Sequence, residues 1–399
     1  MNHSHRIPVP QIPFEPPVYL CPFNEKRLTL DGRLDKDFWA DVPFTDDFKD
    51  IEGESRPVPR FRTRAKMAWD QENFYIGAIL EGDEIWAHLT EHDSVIFNDN
   101  DFEIFIDPDS DTQAYFEYEM NARNTYWDLL LTKAYRGMGL PVNGYEFRRI
   151  RTAVHIDGAL NQPGADNRSW SMEVVIPFAA LAECSATRRP PLPGEYYRVN
   201  FSRVQWKVDV VDGAYRKRMT DDGSRPLPED NWVWAPTGVV NIHYPELWGF
   251  VFFMGKDQNP AHEISINEKV FTEENQNPAH KAPGDEKIFA GRNRNLSCKI
   301  PEDEACMWEL RKLYYAQQAV LDETGSFTDD LDQLRDTLRR ISPCLENAQV
   351  SPAPFQVSTT PHSFEVSCPS PDGKETFCIF SDGAVKRFPT LPVPSDATP

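Results

Sequence analysis

The segment SVIFNDNDFEIFIDPDSD, residues 94–111, concentrates acidic side chains beside an aromatic residue. Asp101, Glu103 and Asp107 are separated by even numbers of residues, so on a β-strand their side chains would share one face. Phe97 lies six residues before Glu103. Carboxylates in this pattern can bind sugar hydroxyls, hold a metal ion or act as an acid–base pair, or they can line the solvated face of a sheet.

The end of this segment, DPDSD, contains Asp107, Asp109 and Asp111. Clustered oxygen ligands can bind Ca²⁺, but the complete spacing of a calcium-binding loop is missing. The sequence therefore favours a solvated turn, with Ca²⁺ as the alternative. No other cofactor is predicted, because the chain contains no phosphate-binding glycine loop, no GxSxG and no HExxH motif.

Strict alternation of apolar and polar residues indicates strands around these acids. In DFEIFID, Phe102, Ile104 and Ile106 would face a core while the acids face outward. AYFEYEMNA alternates in the same way, and the PDSDTQ segment between the two is rich in turn formers. The two segments predict an antiparallel hairpin, and further short strands predict a mainly β protein with an antiparallel β-sandwich.

Changes in composition divide the chain into four predicted regions. Residues 1–24 are proline-rich and predict an extended lead-in, and residues 25–256 contain the sandwich. Residues 257–298 are polar, with proline and glycine, and predict a linker. Residues 299–399 predict a small α+β region, in which two amphipathic helices precede two strands.

Charge and hydropathy exclude several classes of partner. The chain has 42 basic and 63 acidic residues, a net charge of −21, which argues against nucleic acid and anionic membranes. No apolar run is long enough for a transmembrane helix, and the first residues lack the apolar centre of a secretory signal, so the sequence alone indicates a cytoplasmic location. The seven cysteines include no CxxC pair, which favours free thiols; a Cys368–Cys378 bridge is the exception considered.

Seven segments resemble successive motifs of the carbohydrate-binding module family 9-like proteins. In chain order they are LDGRLDKDFW, AKMAWDQENFYIGAIL, SVIFNDNDFEIFIDPD, YFEYEMNA, WSMEVVIPFAAL, YRVNFSRVQW and EDNWVWAPTGVVNIHYPELWGFVFF, and they span about residues 28–254. The resemblance implies a jelly-roll, DOMON-like sandwich that binds oligo- or polysaccharide and assists polysaccharide breakdown, in a superfamily that includes haem-carrying domains. It leaves an extracellular location open.

The resemblance also implies roles for individual residues. Phe97 takes the place of one of two rings that sandwich a sugar, and Glu103 matches a hydrogen-bonding acid. The second ring matches Trp232 or Trp234, with Asn231 beside it. Because the two tryptophans alternate with other residues, only one of them is expected to face the ligand.

One position departs from the family pattern. Where the family has an Arg, this chain has Glu119, followed two residues later by the expected Asn121. The exchange replaces a hydrogen-bond donor by an acceptor, so the family's preference for the reducing end of a sugar is not carried over to this chain. Arg123, two residues beyond Asn121, could supply the missing positive charge. Alternatively, Phe97 packs at a sheet edge, the polar residues face solvent, and Glu119 pairs with Arg123. The predicted ligand-binding residues are Phe97, Glu103, Glu119, Asn121, Arg123, Asn231, Trp232 and Trp234.

Non-catalytic carbohydrate binding is the leading hypothesis, since aromatic rings cover the apolar face of a sugar while carboxylates and amides bind its hydroxyls. The alternative is a hydrolase acting on O-glycosyl compounds. Alternate residues of a strand, such as Asp101 and Glu103, lie about 6.6 Å apart, near the separation used by inverting glycosidases. A haem-binding electron-transfer domain is the least supported hypothesis, because no His or Met spacing indicates axial ligands.

Overall fold

The computed structural model describes residues 7–256, 258, 300–345 and 354–390. Its helices are α1 (Asp37–Ala40), α2 (Phe178–Leu181), α3 (Glu302–Thr324) and α4 (Leu331–Ile341). Its strands are β1 (Val18–Cys21), β2 (Lys49–Asp50), β3 (Thr63–Trp69), β4 (Asn73–Glu81), β5 (Asp101–Asp107), β6 (Tyr115–Asn121), β7 (Tyr126–Leu131), β8 (Pro141–Val142), β9 (Arg151–Asp157), β10 (Ser169–Pro177), β11 (Tyr196–Gln205), β12 (Val208–Val211), β13 (Ala214–Lys217), β14 (Asp230–Val233), β15 (Gly249–Phe253), β16 (Gln356–Thr360), β17 (Ser363–Pro369), β18 (Glu375–Phe380) and β19 (Val385–Pro389).

Two sheets make up the predicted sandwich, and the fold class is confirmed. The larger sheet has the order β1-β15-β11-β5-β6-β7-β8, and β14 pairs with both β11 and β2. The smaller sheet has the order β3-β4-β10-β9. Among these strand pairs only β1 and β15 run parallel, so part of the predicted lead-in, Val18–Cys21, is a strand of the larger sheet.

The core lies between the facing sides of the two sheets. Phe102, Ile104 and Ile106 of β5 are at most 1% exposed and pack in this core, as their alternation predicts. The predicted hairpin pairs β5 with β6 and places Glu103 opposite Glu119. Because alternate side chains point to opposite faces, the acids of both strands lie on the outer face of the larger sheet.

Glu173, in the middle of β10, anchors the segment that precedes the sandwich. Its buried carboxylate accepts hydrogen bonds from the backbone N–H groups of Asp31 and Gly32, from Trp39 Nε1 and from Lys36 Nζ, at 2.7–3.0 Å. Gly32 has φ +81°, and a Cβ there would lie 2.4 Å from a backbone nitrogen of β9. The LDGRLDKDFW motif therefore folds against the smaller sheet through one carboxylate.

Replacing Glu173 by glutamine should destabilise the protein by about 3 kcal/mol, because Lys36 would lose a buried partner and at least one donor would be unpaired. Urea denaturation followed by circular dichroism measures this change. Glu72→Gln on the exposed turn before β4 is the matched control and should change stability by less than about 0.5 kcal/mol. Equal effects of the two substitutions would show that the hydrogen bonds of Glu173 contribute nothing to the free energy of unfolding.

The C-terminal part is the predicted α+β region. Helix α3 and helix α4 pack with the four antiparallel strands β16-β17-β18-β19, and Pro301 and Gly325 flank α3 as their residue types predict. This unit contacts the sandwich: Phe14 stacks on Trp308 at a centroid distance of 4.6 Å. No described helix combines the length and apolar character that crossing a membrane requires. The predicted linker lies outside the described residues, except residue 258.

The six described cysteines have free thiols. Cys368 and Cys378 lie on opposite faces of the β17–β18 hairpin, because Cys368 pairs with Phe377 in the register, so the bridge considered above does not form. Instead, Cys368 Sγ lies 3.2 Å from Cys306 Sγ, where α3 crosses the strand.

A mild oxidant such as diamide should therefore join Cys306 and Cys368, since the sulfurs need to approach only to about 2.05 Å. The two thiols lose two hydrogens, which reduce the oxidant. Peptide mapping under non-reducing conditions identifies the product. A Cys368–Cys378 disulfide as the main product would contradict the structure.

Candidate functional site

Four carboxylates lie together on the outer face of the larger sheet. Asp101 and Glu103 of β5 are next to Glu117 and Glu119 of β6, and they are 0%, 7%, 5% and 2% exposed, respectively. Alternation alone predicts a solvated face here, whereas the structure buries these acids. The difference arises because loops and short helices far away in the sequence cover the face.

Burial raises the pKa of each of these groups. It raises the pKa of Glu103 to about 7, and the charge of Glu229 adds to the increase. It raises the pKa of Glu119 well above its usual value, and Glu103 and Glu117 contribute through repulsion. The four groups cannot all be ionised at neutral pH unless a positive charge joins them.

Phe97 forms an apolar ledge beside this cluster. It lies on the short 3-10 helix Ile96–Asn98, where its N–H donates to Glu119 Oε2 at 3.1 Å. Its carbonyl accepts a hydrogen bond from Trp206 Nε1 at 2.8 Å. These two bonds hold the backbone on both sides of the residue, while the ring stays 40% exposed. An exposed ring on a backbone that is held in place suits ligand stacking.

Two further aromatic residues lie near the cluster, and sequence reasoning missed both. Trp127 is opposite Glu119 in the β6–β7 register and is half-buried. Tyr135 is 39% exposed, and partial burial followed by the charges of Glu117 and Glu119 raises its pKa to about 12. The position of Trp127 on the next alternating strand was a usable signal, but Tyr135 follows irregular chain that has no periodicity.

Trp232 and Trp234 do not face a ligand, so the expectation that one of them does is wrong. Trp232 is opposite Arg203 of β11, on the inner side of the sheet. The two tryptophans are 3% and 5% exposed and belong to the core. Trp232 packs edge-on against Phe61, and Trp234 packs against Phe201. Residues two apart share a face, and here that face is the core side.

The predicted amide and cation have structural partners. Asn121 is fully buried, and its Nδ2 donates to Leu89 O and to Asp99 Oδ2, both at 3.0 Å. Arg123 is exposed, and its Nε donates to Ala87 O at 2.9 Å. In the described part of the chain no salt bridge joins Arg123 to the acidic cluster, so the proposed pair with Glu119 does not form.

Asn231 is half-buried on β14, and its backbone oxygen accepts a hydrogen bond from the N–H of Ile51 at 2.9 Å. Its register partner is Val204, whose neighbour across the sheet is Asp101. Asn231 therefore lies on the outer face, at the edge of the cluster.

The DPDSD turn is built around Asp107. Its two carboxylate oxygens accept hydrogen bonds from the N–H groups of Ser110 and Thr112, at 2.9 and 2.8 Å. One oxygen each from Asp107, Asp109 and Asp111 lie within 4.8 Å of one another. Backbone donors thus already stabilise the central carboxylate, and Ca²⁺ binding at this turn stays a prediction.

Comparison with known proteins finds a similarity to one family. Residues 30–186 match the model described as "Carbohydrate family 9 binding domain-like". These residues are therefore similar to that family and form the family 9-like region of the chain. It contains Phe97, Trp127 and the four buried carboxylates, whereas Trp232 and Trp234 lie beyond the match. No curated protein matches the chain.

Three solved structures are similar to the chain. A protein of Bacteroides uniformis ATCC 8492, described as carbohydrate-binding, has 14% identity and a TM-score of 0.44, over 60% of this chain and 100% of its own. A family 9 carbohydrate-binding module from Caldicellulosiruptor kristjanssonii in complex with cellotriose has 16% identity and a TM-score of 0.38; the match covers 60% of this chain and 93% of that module. A family 9 carbohydrate-binding module from the same organism in complex with glucose has 15% identity and a TM-score of 0.37; the match covers 59% of this chain and 95% of that module.

Trp232→Ala should lower the free energy of unfolding by about 3–5 kcal/mol, because it leaves a large cavity between the sheets. Phe97→Ala removes an exposed ring and should cost less than about 1 kcal/mol. Urea denaturation of both variants measures the difference. If the two losses were equal, Trp232 would not be a core residue.

Proposed function

We propose that the family 9-like region binds an oligo- or polysaccharide without cleaving it, on the ledge formed by Phe97. The observation that carries the proposal is the position of this exposed ring, on a backbone held by two hydrogen bonds, inside the stretch that matches the carbohydrate-binding family. The partner chemistry is neutral and hydroxyl-rich, which is compatible with a net charge of −21. Assistance to polysaccharide breakdown is the wider role that we propose.

Stacking supplies the apolar part of this recognition. A sugar presents C–H groups on its flat faces, and covering about 60 Å² of apolar surface contributes roughly 1.5 kcal/mol. Phe97 offers one such surface at the rim of the cluster. Trp127 and Tyr135 are the described aromatic residues placed to form a second wall, in the role that the sequence assigned to Trp232 or Trp234.

Glu103 is the acid best placed to bind a hydroxyl. It keeps 7% of its surface exposed, more than Asp101, Glu117 or Glu119. Its carboxylate can accept a hydroxyl proton, and its protonated form can donate one, so either state can bind a sugar rim. Hydrogen bonds to a charged group contribute about 1.5–3 kcal/mol each.

Phe97→Ala should weaken saccharide binding about tenfold, because the ring's contribution to stacking is lost. Calorimetric titration of the full chain with a glycan panel that includes glucose and cellotriose measures the change. Val58→Ala, at a residue that is 90% exposed elsewhere on the surface, is the matched control and should leave binding unchanged. The proposal fails if the wild-type protein binds no glycan, or if Phe97→Ala binds as the wild type does.

Hydrolysis of an O-glycosyl bond is the second candidate, and the pKa of Glu103, raised by burial to about 7, would suit a general acid. Oxygens of Asp101, Glu103 and Glu119 lie within 4.8 Å of one another, closer than the roughly 6.5–9.5 Å of inverting enzymes and nearer the roughly 5–5.5 Å of retaining enzymes. Release of reducing ends that is lost in Glu103→Gln would favour an enzyme. Haem binding stays a prediction, which a Soret absorbance band tests.

A further inference from the structure

The buried acidic cluster differs from the other buried carboxylates of the described chain in its hydrogen bonding. Each of the others accepts at least two hydrogen bonds from N–H or O–H groups; they are Asp99, Asp107, Asp128, Glu173, Glu246 and Glu304. Asp99, directly beside the cluster, accepts three. These carboxylates therefore have hydrogen-bond donors supplied by the protein itself.

The four cluster carboxylates have fewer donors. Glu103 has a side-chain hydrogen bond with Ser202, and Glu117 and Glu119 share one with each other. Asp101 accepts one backbone bond, from Val204 at 3.3 Å, and Glu119 accepts one, from Phe97. Asp101 Oδ2 and Glu117 Oε2 are buried and have no hydrogen-bond partner. A buried carboxylate oxygen without a partner is strongly unfavourable unless a proton or a cation compensates it.

No positive side chain enters the cluster. Within the described residues, none of the four acids forms a salt bridge. Lys217, whose charge interacts with that of Asp101, places its Nζ 3.3 Å from the centroid of the Trp206 ring. Arg203 points to the other side of the sheet, opposite Phe102. Glu229 adds further negative charge near Glu103. The site is therefore strongly electronegative and lacks an internal counter-ion.

The separation of the carboxylates matches the size of a metal ion. One oxygen each from Asp101, Glu103 and Glu119 lie within 4.8 Å of one another. Two ligands on opposite sides of a Ca²⁺ ion are about 4.6–5.2 Å apart, since each Ca–O distance is about 2.3–2.6 Å. One ion can therefore contact all three residues.

We propose that Asp101, Glu103 and Glu119 bind a Ca²⁺ ion, with Glu117 beside them as a further oxygen donor. An all-oxygen set selects hard cations over Zn²⁺ or Cu²⁺. Ca²⁺ is favoured over Mg²⁺, because Mg²⁺ retains several waters and these acids are at most 7% exposed. The site is separate from the DPDSD turn and does not depend on the proposed sugar binding.

The metal would also act on the stacking surface. Glu119 Oε2 accepts the N–H of Phe97, so a cation that fixes Glu119 also fixes the peptide that carries the ring. Calcium would then support the proposed sugar site through Glu119, and it would share Glu103 with that site. Metal binding can be measured with no saccharide present, so failure of one proposal does not imply failure of the other.

Calorimetric titration of the EDTA-treated full chain with CaCl₂ tests the proposal. Glu103→Gln combined with Glu119→Gln should abolish a binding transition or weaken it at least about tenfold. Asp109→Asn combined with Asp111→Asn removes the same charge from the DPDSD turn and is the matched control; it should keep that transition. Calcium should raise the melting temperature of the wild type and the control, but not of the cluster variant.

Circular dichroism verifies that both double variants fold. Without calcium the cluster variant should be at least as stable as the wild type, because two repelling groups have become neutral. If it does not fold, Asp101→Asn replaces it in the titration. A wild-type chain that binds no Ca²⁺ overturns the proposal and leaves protons as the compensating charge. A cluster variant that keeps the transition, or a control that loses it, also overturns the proposal.

Discussion

The burial of negative charge on the outer face of the larger sheet is the constraint that shapes the candidate site. Moving a carboxylate out of water costs several kcal/mol, and neighbouring like charges add to this cost. The two central strands β5 and β6 can hold four such groups because their other faces fill the core with Phe102, Ile104, Phe116 and Tyr118. The packing of the sandwich thus stabilises an arrangement that is unfavourable by itself, and a bound ligand can relieve it.

The same face shows the opposite arrangement where the C-terminal region covers it. There Arg136 binds Glu246 through two hydrogen bonds of 2.7 Å, and Arg198 binds Glu304 at 2.5 Å, all of them buried. A buried pair of this kind fixes orientation more than it adds stability. The charges are thus paired where the two units meet and unpaired beside Phe97.

Much of the fold follows from the sequence, because alternation determines which side chains of β5 face the core and proline and glycine determine where α3 begins and ends. The family resemblance predicts that Phe97 and Glu103 belong to one site, and the structure bonds Phe97 to Glu119, the register partner of Glu103. The failures have one physical cause: local patterns do not report what covers a face. Trp232 and Trp234 are two residues apart, so strand alternation places them on the same side of the sheet. Only the pairing of β14 with β11 shows that this side is the inner one. The position of Tyr135 near Glu117 and Glu119 likewise depends on tertiary folding.

Glu119 connects these observations. It stands where the resembling family has an Arg, and the change leaves the cluster with a fourth acid in place of an internal cation. It also accepts the backbone N–H of Phe97, so its charge state and the position of the stacking ring are coupled through a single hydrogen bond. A hydrogen bond to an ionised acceptor is stronger than one to a neutral acceptor. Whatever stabilises the ionised form of Glu119 therefore also holds the backbone of Phe97 in place, which makes the charge balance of the cluster a determinant of the proposed sugar-binding surface.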